Sequence, residues 1–127
     1  MEQTKLTGSE WNIMHCLWAN SPRTVMQLAA ELEETVGWSK STTITTLRRM
    51  EAKGLVTCEQ RGRTRLYRPA VEREGAAVAE TRSFLDRVYQ GSVGMMVSAM
   101  ARRQELTAEE IAQLRAVLDE AEKERGT

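Results

Sequence analysis

Between Ser39 and Gly54 the chain reads SKSTTITTLRRMEAKG, and this stretch limits what the rest can fold into more than any other. Small hydroxyl residues open it, as helix starts favour, and Gly54 supplies the left-handed residue that commonly closes a helix. Ile44, Leu47 and Met50 recur at three-residue intervals, which predicts one apolar stripe turned toward a core. Lys40, Ser41, Thr42, Thr45, Arg48, Arg49 and Lys53 hold the other positions and leave a broad polar, basic face. Short hydroxyl side chains reach phosphates and base edges, and an arginine fork matches guanine or phosphate, so this face suits a DNA major groove. A solvated helix face is the plainer account of the same residues, and the flanking sequence has to choose between them.

Upstream, Thr7-Gly-Ser-Glu10 has capping-box spacing, and Trp11, Ile13, Met14, Leu17 and Trp18 follow at helical intervals. A first helix is expected from about Gly8 to Ala19, with its aromatic stripe in the core. Asn20-Ser-Pro22 breaks it. Thr24-x-x-Gln27 then caps a second helix with Val25, Leu28 and Leu32 facing inward, and Gly37 ends that segment. Three helices in this span match a helix-turn-helix plan. After Gly54, LVTCEQ and TRLYRP read as strands around an RGR turn, so Arg61 and Arg63 sit at the tip of a hairpin with Arg65 close behind. Helix-turn-helix plus hairpin is the winged-helix arrangement, whose basic tip would follow the phosphate backbone or enter a minor groove.

The 127 residues carry no net charge, which at first disfavours a nucleic-acid binder, but the charges are segregated. From Trp38 to Arg68 eight basic residues face two acidic ones, a net of +6. From Gln104 to Thr127 three basic residues face seven acidic ones, a net of −4. Only the middle segment carries the local positive field that phosphate binding needs.

Beyond Val71 strand signals stop. Val78, Thr81, Phe84, Leu85, Val88 and Tyr89 keep helical spacing as far as Gly91, and Met95, Met96, Val97, Ala99 and Met100 form a second helix. Thr107-x-x-Glu110 is a further capping box, opening a helix with Ile111, Leu114, Val117 and Leu118, and Ala121 prolongs the stripe. Apolar stripes this wide in so little chain are expected to pair with a second subunit, and the methionines fit core or interface filling. The expected class is mostly α with a small β-hairpin: an N-terminal winged helix-turn-helix over residues 1–70 and a C-terminal helical dimerisation lobe over residues 71–127.

Catalysis has little to work with. His15 is the single histidine, and no glycine-rich phosphate loop, nucleophile elbow or paired-cysteine motif occurs. Cys16 and Cys58 are expected to be buried, reduced thiols. A metal site built from His15, Cys16 and Cys58 would match no common ligand spacing, so no metal and no cofactor are expected. The N-terminal MEQTKLTGSEW lacks the features of a secretory signal, and no apolar run approaches membrane-span length, so cytoplasmic residence without membrane insertion is expected.

At this level of detail the chain resembles the penicillinase-repressor (BlaI/MecI/CopY) group of bacterial transcriptional regulators. The matching residues are Leu6-Thr7-x-x-Glu10-Trp11, Met14, Leu17-Trp18, Thr42 to Leu47, Arg49, Lys53-Gly54, Gly62-Arg63, Tyr67 and Pro69. Phe84-Leu85-x-x-x-Tyr89-x-Gly91 and Glu105-Leu106-x-x-x-Glu110-Ile111-x-x-Leu114 look like that group's dimerisation region. The resemblance implies a homodimer that binds a pseudo-palindromic operator and blocks transcription. It implies, for the β-lactam branch, release when a membrane sensor protease triggers cleavage at an Asn-Phe bond. Alignment places that bond at Ala99-Met100, where neither residue matches, and the copper-responsive branch's C-terminal Cys-x-Cys pair has no counterpart after Cys58.

On this basis Thr42, Thr45 and Arg48 are expected nearest base edges, with Ile44 available to a thymine methyl. Ser39, Lys40, Ser41, Arg49, Arg61 and Arg63 are expected to grip phosphate. Phe84, Leu85, Val88, Tyr89, Met95, Met96, Met100, Ile111, Leu114 and Leu118 are the expected dimerisation residues. A winged-helix module that contacts protein instead of DNA, or a metal-responsive regulator, are the alternatives.

Overall fold

A computed structural model describes residues 5–126, so the first four residues of the N-terminal stretch and Thr127 lie outside the described residues. In chain order the elements are α1 (Gly8–Ala19), β1 (Arg23–Thr24), α2 (Val25–Val36), α3 (Lys40–Ala52), β2 (Val56–Arg61), β3 (Thr64–Pro69), α4 (Arg73–Tyr89), α5 (Val93–Arg102) and α6 (Ala108–Gly126). The described residues form two compact units that divide between Thr81 and Arg82.

Local chemistry explains the helix boundaries in the first unit. Thr7 and Thr24 each close a reciprocal capping box, accepting from the backbone N–H three residues on while Glu10 or Gln27 reaches back to the cap. α2 ends where Gly37 turns left-handed at φ 75°. Ser39 caps α3 by accepting from the Thr42 amide.

The expected hairpin is the larger part of a three-stranded antiparallel sheet ordered β1-β3-β2. β1 pairs Arg23 with Tyr67 and Thr24 with Leu66. Arg61 opposes Thr64 across a two-residue turn, where Gly62 takes φ 60° and Arg63 does not have positive φ, the pattern of a type II′ turn.

Ile13, Met14, Leu17, Leu28, Leu32, Leu47, Met50 and Leu55 are fully buried and form the centre of the first core. Two expectations change here. Trp11 and Trp18 are only half-buried against that core, because the buried side of α1 is Ile13, Met14, Cys16 and Leu17. With His15 the two indoles form a three-ring cluster, each ring centroid 5.5 to 5.8 Å from the other two. The buried stripe of α3 is Thr43, Thr46, Leu47 and Met50, and Ile44 is half-buried beside it. Leu47 and Met50 are buried as expected, and the stripe extends to the Thr43 and Thr46 side at the expense of Ile44. Cys16 is buried as expected, whereas Cys58 is half-buried.

In the second unit Ser92 caps α5 through the Met95 amide, and Thr107 with Glu110 forms the capping box of α6. Gln90 and Gly91 are consecutive left-handed residues after α4, and the Gly91 amide donates back to the Leu85 carbonyl at 2.8 Å. Leu85 is buried, and the Phe84 and Tyr89 rings meet edge to face. No described residue of α5 or α6 is buried.

Candidate nucleic-acid interface

The polar face of α3 is sorted by depth. Ser39, Lys40, Ser41, Thr42, Thr45, Arg48 and Arg49 are exposed, and Ile44 lies half-buried among them. At the helix start three hydroxyls form a chain: Ser39 Oγ lies 3.2 Å from Ser41 Oγ and 3.0 Å from Thr42 Oγ1. The first turn holds no acidic residue, so nothing offsets the positive end of the helix dipole beside Lys40. Facing inward, Thr46 Oγ1 donates to the Thr42 carbonyl at 2.8 Å, while the buried Thr43 Oγ1 is without a hydrogen-bond partner.

Ion pairs divide the eight basic residues of this segment. Lys53 donates to Glu10 at 2.6 Å, and Glu10 is buried. Burial raises the Glu10 pKa, but the Lys53 and Thr7 hydrogen bonds together with the Lys53 charge outweigh it and hold the carboxyl below its ordinary value. Lys53 therefore fastens the end of α3 to the start of α1. Arg65 lies 3.7 Å from Glu51 on α3, donates to Cys58 Sγ at 3.1 Å and stands 6.0 Å from the centre of the Tyr67 ring. Arg61 and Arg68 both pair with Glu59, at 3.1 and 3.3 Å. Among the described residues no carboxylate pairs with Lys40, Arg48, Arg49 or Arg63.

The wing thus has two sides, one holding the Glu59 pairs and the other Arg65, and a tip. Strand alternation puts Thr57, Glu59, Arg61, Thr64, Leu66 and Arg68 on one side and Cys58, Gln60, Arg65 and Tyr67 on the other. Arg63 projects at the turn. Arg61 and Arg63, grouped in the sequence as one basic tip, differ: Arg61 is held by Glu59 and Arg63 is not. Glu59 is the residue that sequence reasoning passed over. Its signal was available, because the hairpin register sets Glu59 beside Arg61 on one strand and diagonal to Arg68 on the next.

In the second unit Phe84, Val88, Met95, Met100, Ile111 and Leu118 are exposed, Tyr89, Met96 and Leu114 are half-buried, and Leu85 lies within its own chain. A groove of about 300 Å³ is lined by Leu106, Glu110, Gln113, Leu114 and Val117. The Ala99-Met100 bond sits inside α5, where the two carbonyls accept from the Arg103 and Glu105 amides at 3.3 and 2.9 Å.

His15 lies exposed in the cluster it forms with the two indoles. Burial and the neighbouring Glu31 push the Cys16 thiol up to about 11, which keeps it protonated near neutral pH. Among the described residues no three His, Cys, Asp or Glu side chains gather as a metal site. No helix of the described residues is long and apolar enough to cross a membrane.

Comparison with known proteins places these features. The model of the penicillinase repressor family matches residues 6–120. The penicillinase repressor of Bacillus licheniformis is 29% identical over 116 residues, covering 91% of each chain. The methicillin resistance regulatory protein MecI of Staphylococcus aureus strain N315 is 23% identical over 115 residues, covering 91% of this chain and 94% of its own. The solution structure of the Bacillus licheniformis BlaI monomeric form in complex with the blaP half-operator aligns with a TM-score of 0.51 at 27% identity, covering 56% of this chain and 87% of that one.

Proposed function

Because the chain belongs to the penicillinase repressor family, we propose that it is a DNA-binding transcriptional repressor, not an enzyme, acting as a homodimer on a pseudo-palindromic operator. The observation that carries this reading is the depth-sorting of α3. Its hydroxyls and the unpaired Lys40, Arg48 and Arg49 share the outward face, and its apolar and threonine stripe is buried. On this reading α3 lies in the major groove with Thr42, Thr45 and Arg48 at base edges, and Ile44 reaches a thymine methyl at the groove edge. Ser39, Lys40, Ser41, Arg49 and Arg63 hold phosphate, and Arg61 joins them once it leaves Glu59. A relative's complex of a monomeric form on a half-operator supports one winged unit per half-site.

The exposed apolar side chains of α4, α5 and α6 support pairing with a second copy, which would set the spacing of two α3 helices to the pseudo-palindrome. A membrane sensor protease, or an effector it controls, is the inducing partner on this reading. Cleavage at Ala99-Met100 then requires α5 to open first, since the bond is helical. A mobility-shift titration of the purified protein on DNA flanking its coding region, repeated across salt, tests the proposal. Binding that weakens linearly in log salt is expected, and indifference to duplex DNA at low ionic strength overturns it.

A further inference from the structure

Glu59 is an acidic side chain on a hairpin that otherwise offers cations to phosphate. Each of its carboxylate oxygens takes one guanidinium: Oε2 accepts from Arg61 Nε at 3.1 Å and Oε1 from Arg68 Nη2 at 3.3 Å. The three residues lie on one side of the hairpin, away from Arg65 and Cys58, and all three side chains are open to solvent. Those hydrogen bonds hold the carboxyl of Glu59 below its ordinary pKa, Arg61 first and Arg68 second. The arrangement copies what a backbone phosphate does with two arginines.

We propose that Glu59 is a specificity-determining residue that acts as an internal phosphate mimic, withholding Arg61 and Arg68 from DNA until a well-placed phosphate displaces the carboxylate. The proposal rests on the reading of α3 and the hairpin as a DNA-binding surface. Solvent-exposed ion pairs are individually weak, so the exchange is easy where phosphate geometry is right and unrewarded where it is not. Arg63 has no carboxylate partner and contacts any duplex, whereas Arg61 and Arg68 contribute only in the seated complex. Glu59 thereby lowers affinity for arbitrary DNA more than affinity for the operator.

The test is a double-mutant cycle by fluorescence anisotropy, using a labelled duplex of mixed sequence and a duplex selected from a random pool by the wild-type protein. Glu59→Gln is expected to tighten mixed-sequence binding several-fold and to steepen its salt slope by about one to two phosphates, with a smaller gain on the selected duplex. In an Arg61→Ala/Arg68→Ala background the same substitution is expected to change nothing. A gain that persists without the two arginines means simple charge repulsion and overturns the proposal. An unchanged Glu59→Gln protein also overturns it, and in that case Arg63→Ala separates the two readings. If Arg63→Ala weakens both duplexes, DNA binding by this surface stands and the role of Glu59 alone falls; if it too has no effect, both fall. Melting temperatures of the exposed-site variants are the folding control.

Discussion

Glu10 and Lys53, 43 residues apart in sequence, meet at 2.6 Å and join the first turn of α1 to the last turn of α3. The same carboxylate completes the Thr7 capping box with its other oxygen, so one buried group serves two elements at once. Removing Lys53 leaves that charge with the Thr7 amide alone. Lys53→Ala is expected to destabilise the first unit by about 1–3 kcal/mol in urea unfolding. A depressed carboxyl pKa contributes stability above the unfolded-state value and loses it as pH falls through the folded one. Acid unfolding is therefore expected to steepen below the usual carboxylate range. Glu10→Gln, which keeps the box but not the charge, is expected to flatten that limb.

Arg48 and Arg63 both lack a carboxylate partner, and on the proposed reading they serve different ends. Arg48→Ala is expected to cost about 1–3 kcal/mol on the operator and to relax preference at one base pair. Arg63→Ala is expected to weaken all duplexes alike and to flatten the salt slope by about one unit. Mobility shifts on operator and scrambled DNA, across salt, check both.

Leu118 is 64% exposed on α6 and sits on the apolar stripe with Ile111 and Leu114. Leu118→Glu is expected to shift the protein to monomer in sedimentation. Because each monomer then binds one half-site, affinity for the full operator is expected to fall on the order of a hundredfold with half-site affinity unchanged.

Thr43 buries a hydroxyl that no group answers. Thr43→Val keeps the shape and removes the unsatisfied polar atom, so it is expected to stabilise the protein by about 1 kcal/mol, seen as a higher melting temperature with DNA affinity retained.

The two thiols should separate by rate. Cys16 is buried and protonated, with its pKa near 11, whereas Cys58 is half-buried next to Arg65. A thiol reagent is expected to modify Cys58 quickly and Cys16 only on unfolding, and Cys58→Ser is expected to abolish the fast phase.

Much of this architecture was legible in the residues because it is local. The three capping boxes are contiguous in sequence, and their helices begin where those residues place them. β1 was not legible, since two residues carry no periodicity and Arg23 and Thr24 become a strand only against Tyr67 and Leu66. The two indoles of α1 are half-buried where core was expected, because α1 is apolar around most of its circumference and packing against the other elements decides which side is covered. On α3, Leu47 and Met50 are buried as their spacing indicates, but a buried threonine has no apolar signal, so Thr43 and Thr46 were not legible as part of the stripe. The pairing of Lys53 with Glu10 and of Arg65 with Glu51, each between separate elements, was hidden for another reason. Net charge counts side chains, whereas an incoming phosphate first meets those that acids have not already engaged.

Arg65 reaches from β3 to Glu51 on α3, Leu55 sits fully buried in the single link between helix and strand, and the Ala70 amide donates to the Leu55 carbonyl at the far end of the hairpin. Helix and wing are thus fixed together at the buried Leu55, whose amide also donates to the Met50 carbonyl of α3, like the jaws of a caliper set to one gauge. A duplex whose groove width does not match that gauge must itself deform, so sequences that narrow or widen easily would be favoured at base pairs no side chain touches.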